Sequence, residues 1–191
     1  MSAARKGFES LLAEDPDDVD TLRHFGVLCT AESMYALGAR EHELAIRRVR
    51  EAIGYHKRVL AKSAENPVTR AQRRTQANYL ARALVPSRAH AEIFAAAADM
   101  VDDLPGDPVA CMHAASFASL AIRVLRVREG LEPAARAATE TSYVERAVAW
   151  LGMAVERGFS VDKVLGSKGL ELLRTTDAFR AFEASARDKR R

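Results

Sequence analysis

The apolar positions of this chain recur at the spacing of helix faces. After Ser142, the residues Val144, Ala147, Val148, Leu151 and Val155 form one apolar stripe, while Glu145, Arg146, Glu156 and Arg157 fall on the other side. Ser142 with Glu145 three positions later has the form of a capping box, and Gly158 is a ready C-terminal stop. Between Arg40 and Glu65, Ile46, Val49, Ile53 and Leu60 make a similar stripe opposite Arg47, Arg50 and Glu51. After Pro67, the residues Val68, Ala71, Thr75, Tyr79 and Ala83 can line a buried face, which leaves Arg70, Arg73 and Arg74 clustered on the opposite one.

Three junctions share one chemistry: Asp15-Pro16, Asn66-Pro67 and Asp107-Pro108. An Asp or Asn side chain accepts a free backbone N–H at a helix start, and proline suits the first helical position because its missing N–H would be unpaired there anyway. Each junction is therefore expected to open a helix. The intervals of 51 and 41 residues are those of helix-hairpin repeats with insertions. Inside them Ala45, Val49 and Ala52, then Ala91, Ala95 and Ala98, then Ala147, Leu151 and Ala154 repeat one small-residue spacing that lets a partner helix approach closely. Pro86, Pro105-Gly106 and the stretch from Gly130 to Pro133 punctuate the remaining helices. Beyond Phe159 come short pieces broken at Gly166 and Gly169, then a last helix around Asp177 to Arg187 anchored by Phe179 and Phe182.

The reading is an all-α fold in one domain over 1–191, with hairpins at 16–65, 67–104 and 108–158 and a cap at 159–188. Composition agrees: 48% of residues are apolar but only 6% aromatic, and alanine, the best helix former, is the commonest residue. The two cysteines, Cys29 and Cys111, lie far apart with no C-x-x-C spacing, which points to reduced core thiols. The charged start of the chain does not read as a signal peptide, and no apolar run reaches the ~20 residues of a membrane span, so a cytoplasmic location is expected. Net charge is +3 but uneven: residues 40–90 carry twelve basic and four acidic groups, and residues 91–109 none and five.

The stretches LLAEDPDDVDTLR and PGDPVACMHAASFASLA, with AVAWLGMAVERGF followed by LELLRTTDAFRAF, resemble tetratricopeptide repeats. They resemble more closely the divergent repeat region that follows some bacterial Ser/Thr protein kinase domains. The resemblance implies a right-handed stack of antiparallel helical hairpins, a tetratricopeptide-like α-solenoid, and a protein-binding role linked to kinase signalling. Ser167, Lys168 and Gly169 stand where that family has an acidic Asp-Pro-Asp turn, and the chain holds no kinase motif.

Candidate chemistry is sparse. Cys111 and His113 point to nearly opposite sides of a helix, so they cannot share a metal. Glu41-His42-Glu43 reads as a solvated helix start, His56 as a satisfied boundary histidine, and His24 with Cys29 lacks the geometry of a thiolate pair. No catalytic residue, metal or cofactor is expected. The arginine cluster Arg70, Arg73 and Arg74 is either a solvated face or a site for an acidic or phosphorylated protein segment, since guanidinium forks match carboxylates and phosphates. The expected function is thus a non-enzymatic scaffold that binds a peptide or partner domain. The alternatives are nucleic-acid binding through the basic 40–90 region and a small-molecule or metal carrier in a helical bundle. Self-association is also open.

Overall fold

The computed structural model describes residues 3–188, which hold ten α-helices, one 3-10 turn and no strand. They fall into two compact units that divide between Ala83 and Leu84. The expected second hairpin, 67–104, is therefore split, its first helix lying in one unit and its second in the other.

The first unit holds α1 (Ala3–Glu14), α2 (Val19–Gly38), α3 (His42–Lys62) and α4 (Pro67–Leu84, its last residue at the boundary). The start of α2 departs from expectation: Asp15-Pro16 lies in the turn after α1, and the cap is Asp18, whose carboxylate accepts from the Asp20 and Thr21 amides. Asn66 does open α4, its Oδ1 accepting from the Thr69 amide at 3.0 Å. Helices α2 and α3 form an antiparallel hairpin around fully buried Leu22, Phe25 and Cys29 on one side and Ala45, Val49, Ala52 and Val59 on the other. The small-residue spacing at 45, 49 and 52 thus does face inward. The hairpin turns at Arg40, which adopts φ 62° while Glu41 N donates to Ala36 O and Arg40 N to Leu37 O. This is the double C-terminal bond pattern usually built on glycine. Helix α4 meets α2 at Gln76–Thr30 and at Ala83–Ala36. Both numbers rise together, so α4 runs in the same sense as α2.

The second unit holds α5 (His90–Asp103), α6 (Pro108–Arg126), α7 (Pro133–Glu156), α8 (Val161–Gly166), a 3-10 turn (Lys168–Leu170), α9 (Glu171–Arg174) and α10 (Asp177–Asp188). Asp107 caps α6 as expected, its Oδ1 accepting from Val109 N and Ala110 N with Pro108 in the first turn. By length and mean hydropathy, 1.4, α6 is apolar enough to cross a membrane, contrary to expectation. Here it is the central helix of the unit, packed by α5 and α7 and burying eleven residues. Phe94 of α5 stacks on Tyr143 at 4.0 Å and reaches Trp150 at 5.4 Å, while His90 bonds Tyr143. Helices α5 and α7 therefore also run in the same sense.

Two expectations within this unit shift. The inward residues of α5 are Ile93, Ala97 and Met100 rather than Ala91, Ala95 and Ala98. Helix α7 begins at Pro133, so Ser142 and Glu145 lie mid-helix and form no cap. Its end is as expected: Gly158, at φ 89°, donates to Val155 O and Phe159 N to Ala154 O. Phe179 of α10 is buried as the expected anchor.

Candidate functional site

Helix α4 carries no acidic residue and four arginines, and of the expected inward residues only Ala83 is buried, the helix being turned so that another stripe faces in. The first half of the inward stripe is polar: Thr69, Arg73 and Gln76 follow one another around successive turns, each no more than 1% exposed, before apolar Ala77, Leu80, Ala81 and Leu84 continue it. Arg70 and Arg74 are half-buried at its flank. The three arginines therefore do not form an exposed patch, because Arg73, the middle one, is inside. Apolar periodicity misled here because Gln76 has buried partners on two other helices. Gln76 Nε2 donates to Thr30 Oγ1 at 3.0 Å and to His56 Nδ1 at 2.8 Å. His56, with no exposure at all, is deeper than a boundary residue, and it contacts Arg23 O through Nε2 at 3.2 Å. Burial holds its pKa below the ordinary histidine value.

Turned this way, α4 puts most of the expected stripe outward. Val68 is 51% exposed, Ala71 and Thr75 are exposed, and Tyr79 is half-buried. On α2, Val27 is 39% and Met34 44% exposed, with Ala31 half-buried between them. These two stripes lie on one side of the helix pair. From the Thr30–Gln76 contact, Met34, Val27 and Ala31 sit about 40–100° around α2, and Tyr79, Val68 and Thr75 about 60–100° around α4 in the opposite rotation. For two helices running the same way, opposite rotations from the shared contact lead to the same side. Helix α3 occupies the other side, through Gly26, Ser33 and His56. The result is an α2–α4 face with apolar side chains on both helices and Arg82 exposed at one end. A contiguous apolar patch, rather than a single exposed apolar side chain, is the informative departure from a solvated surface.

The charged groups of the first unit gather elsewhere, under α1. Arg5, 2% exposed, contacts Glu32 at 2.6 Å and Glu51 at 2.7 Å, lies 5.0 Å over the Phe25 ring, and donates to Cys29 Sγ at 3.1 Å. Arg48 bridges the same two carboxylates at 3.1 and 3.2 Å. Burial and the neighbouring Glu51 carboxylate push the Cys29 thiol up to about 12, so at neutral pH it is a protonated core group rather than a nucleophile. Cys111 is also raised by burial. Sequence reasoning missed this cluster because it is drawn from three helices, with Arg5 lying 27 and 46 residues from its carboxylate partners; a lone Arg5 on an amphipathic helix gives no sign of being inward.

Much of the basic charge between 40 and 90 is engaged internally. Besides Arg48 and Arg73, Arg58 and Lys62 reach Asp17 across the α1–α2 turn, and Arg70 reaches Glu65. Among the described residues no group of three or more His, Cys, Asp or Glu side chains converges as a metal site would. The second unit has a 630 Å³ surface cavity lined by His113, Ser116, Lys163 and Ser167, and a 410 Å³ apolar groove between α7 and α10 beside Gly152 and Phe182. In the first of these, the Ser116 hydroxyl donates to Met112 O within its own helix at 3.2 Å. No protein-family model matches this chain, nor does any curated protein or solved structure.

Proposed function

We propose that this chain is a non-enzymatic protein-interaction module, built as a right-handed, tetratricopeptide-like arrangement of helical hairpins, and that it holds a partner segment on the α2–α4 face. The observation that carries the reading is the outward stripe of Val27, Met34 and Val68 on two adjoining helices that run the same way. Hairpin repeats bury their core between neighbours and leave such a face for partners. The alternation of sense in each unit, α2 with α4 and α5 with α7, supports the repeat reading. Covering a half-exposed valine or methionine yields about 1 kcal/mol apiece, so a partner that seats apolar side chains here gains useful affinity from this stripe.

The test is capture from native lysate by the immobilised chain, compared with the double variant Met34→Glu, Val68→Glu and with Arg47→Glu, which alters an exposed position of α3. Thermal melts establish that all three are folded. Loss of a partner by at least tenfold in the double variant, with retention by Arg47→Glu, is the expected result. Undiminished capture by the double variant would overturn the proposed face.

A further inference from the structure

The buried contacts at the α2–α3–α4 junction admit a single pattern of donors and acceptors. Thr30 Oγ1 donates to Gly26 O at 2.7 Å, so its remaining capacity is to accept. The group facing it must be the amide nitrogen of Gln76, at 3.0 Å, and that same nitrogen faces His56 Nδ1 at 2.8 Å. His56 Nδ1 must therefore accept. Its proton is on Nε2, which donates to Arg23 O at 3.2 Å. Every link requires a neutral imidazole. The ring lies close against the α2 backbone, since a Cβ on Gly26 would fall 2.5 Å from Nε2.

Protonation breaks the pattern at one point. An Nδ1–H would meet the N–H donors of Gln76, donor against donor. Rotating the Gln76 amide brings its Oε1, which has no hydrogen-bond partner, onto Nδ1–H. That rotation also turns Oε1 toward Thr30, whose hydroxyl must then abandon Gly26 O, and it takes the amide N–H groups away from Thr30 and His56. The imidazolium would also lie close to Arg73 on α4 and to Arg23 on α2, the latter paired with Asp20, and both disfavour its charge.

We propose that His56 is a protonation latch: neutral, it ties α4 to the α2–α3 hairpin through Gln76 and Thr30, and protonated, it releases α4. The latch stands on the packing of these three helices. Its functional consequence, that mild acid dismantles the α2–α4 face and discharges whatever is held there, rests on the reading of that face as the docking site. The direction of titration agrees, since burial already disfavours the charged ring.

The experiment is an NMR titration of the full chain, following the His56 imidazole together with hydrogen-exchange protection factors of the α4 amides, so that no partner is needed. In the wild type, His56 is expected to titrate below the ordinary value of about 6.5, and α4 protection to fall about tenfold per pH unit between that value and the His56 midpoint. Thr30→Val removes the group that prevents the Gln76 amide from rotating, and should move the midpoint upward. A histidine buried for packing alone would not respond this way. His56→Gln should abolish the pH dependence of α4 protection; should it fail to fold, Thr30→Val still decides. Titration of His56 with α4 protection unmoved, or a midpoint indifferent to Thr30→Val, would overturn the latch. Loss of partner capture on acidification without change in α4 would sink the latch and leave the docking face standing.

Discussion

At the scale of single residues, two helical glycines with the same local role have opposite reasons to exist. Gly26 of α2 sits where a Cβ would lie 2.5 and 2.6 Å from His56 ring atoms, and the ring cannot retreat without losing Gln76 and Arg23. Gly54 of α3 is exposed and has no atom within 4 Å of the Cβ it lacks. Gly26→Ala should destabilise by about 2–3 kcal/mol, the cost of overpacking a rigid site. Gly54→Ala should stabilise by about 0.5–1 kcal/mol, because alanine removes backbone freedom that glycine loses on folding. Urea denaturation of the two single variants measures both. Similar changes of the same sign in both would show that close approach at position 26 is not what requires glycine there.

At the scale of elements, α1 illustrates how a short helix is held by one side chain. Phe8 stacks on Phe25 at 5.4 Å and Leu12 adds apolar contact, but the centre of the attachment is Arg5 between Glu32 and Glu51. Removing one member of a buried ionic group leaves the others desolvated without compensation, typically at about 3–5 kcal/mol. Arg48 remains to neutralise part of the charge and both carboxylates keep some solvent. Arg5→Met should therefore cost about 2–3 kcal/mol, and should expose the α1 amides to exchange before those of α3. Arg5→Lys should recover only part of this, since an ammonium cannot span two carboxylates as a guanidinium fork does. Uniform loss of protection across α1 and α3 would instead make Arg5 a general core residue.

The same scale shows what was legible from the chain alone. Helix ends written in local chemistry were readable: Asn66, Asp107 and Gly158 act as their residue types suggest. Asp15-Pro16 misled because Asp18, three residues on, offers the same capping oxygen with Val19 and Leu22 correctly phased behind it. Helix phase was readable where the inward face is apolar, as at 45, 49 and 52 or 147, 151 and 154. It failed in the first half of α4, where hydrophobicity and burial part company: Thr69, Arg73 and Gln76 are inside, and Val68 is out, whereas Ala83 lies inside as expected. Partners for Gln76 come from α2 and α3, forty-six and twenty residues away, and a periodicity count within α4 cannot contain them. The candidate face was hidden for the same reason, since it is the complement of that stripe.

At the scale of the whole molecule, buried titratable groups set the range of pH over which the fold is most stable. His56 and His90 are both held below the ordinary 6.5, chiefly by burial. Unfolded, they take up protons as pH falls through about 6.5, while the native forms resist, so stability declines with acidification by up to about 1.4 kcal/mol per pH unit for each. Glu51 adds to this at lower pH: burial opposes its charge, but Arg5 and Arg48 outweigh it and hold its pKa below 4.5, so its contribution is lost as pH falls through that region. On the alkaline side the direction reverses. The Cys29 thiol is pushed up to about 12 from an ordinary 9.0, so above pH 9.0 the unfolded chain releases a proton that the native state keeps, and stability falls as pH rises. Cys111 acts in the same direction. Denaturant unfolding across pH 4 to 11 should accordingly show a plateau between about 6.5 and 9 with a descending limb on each side. A Cys29→Ala, Cys111→Ala variant should lower the plateau by the cost of two small cavities yet flatten the alkaline limb between 9 and 10. If that limb keeps its slope without the thiols, their burial is not what limits the fold in alkali.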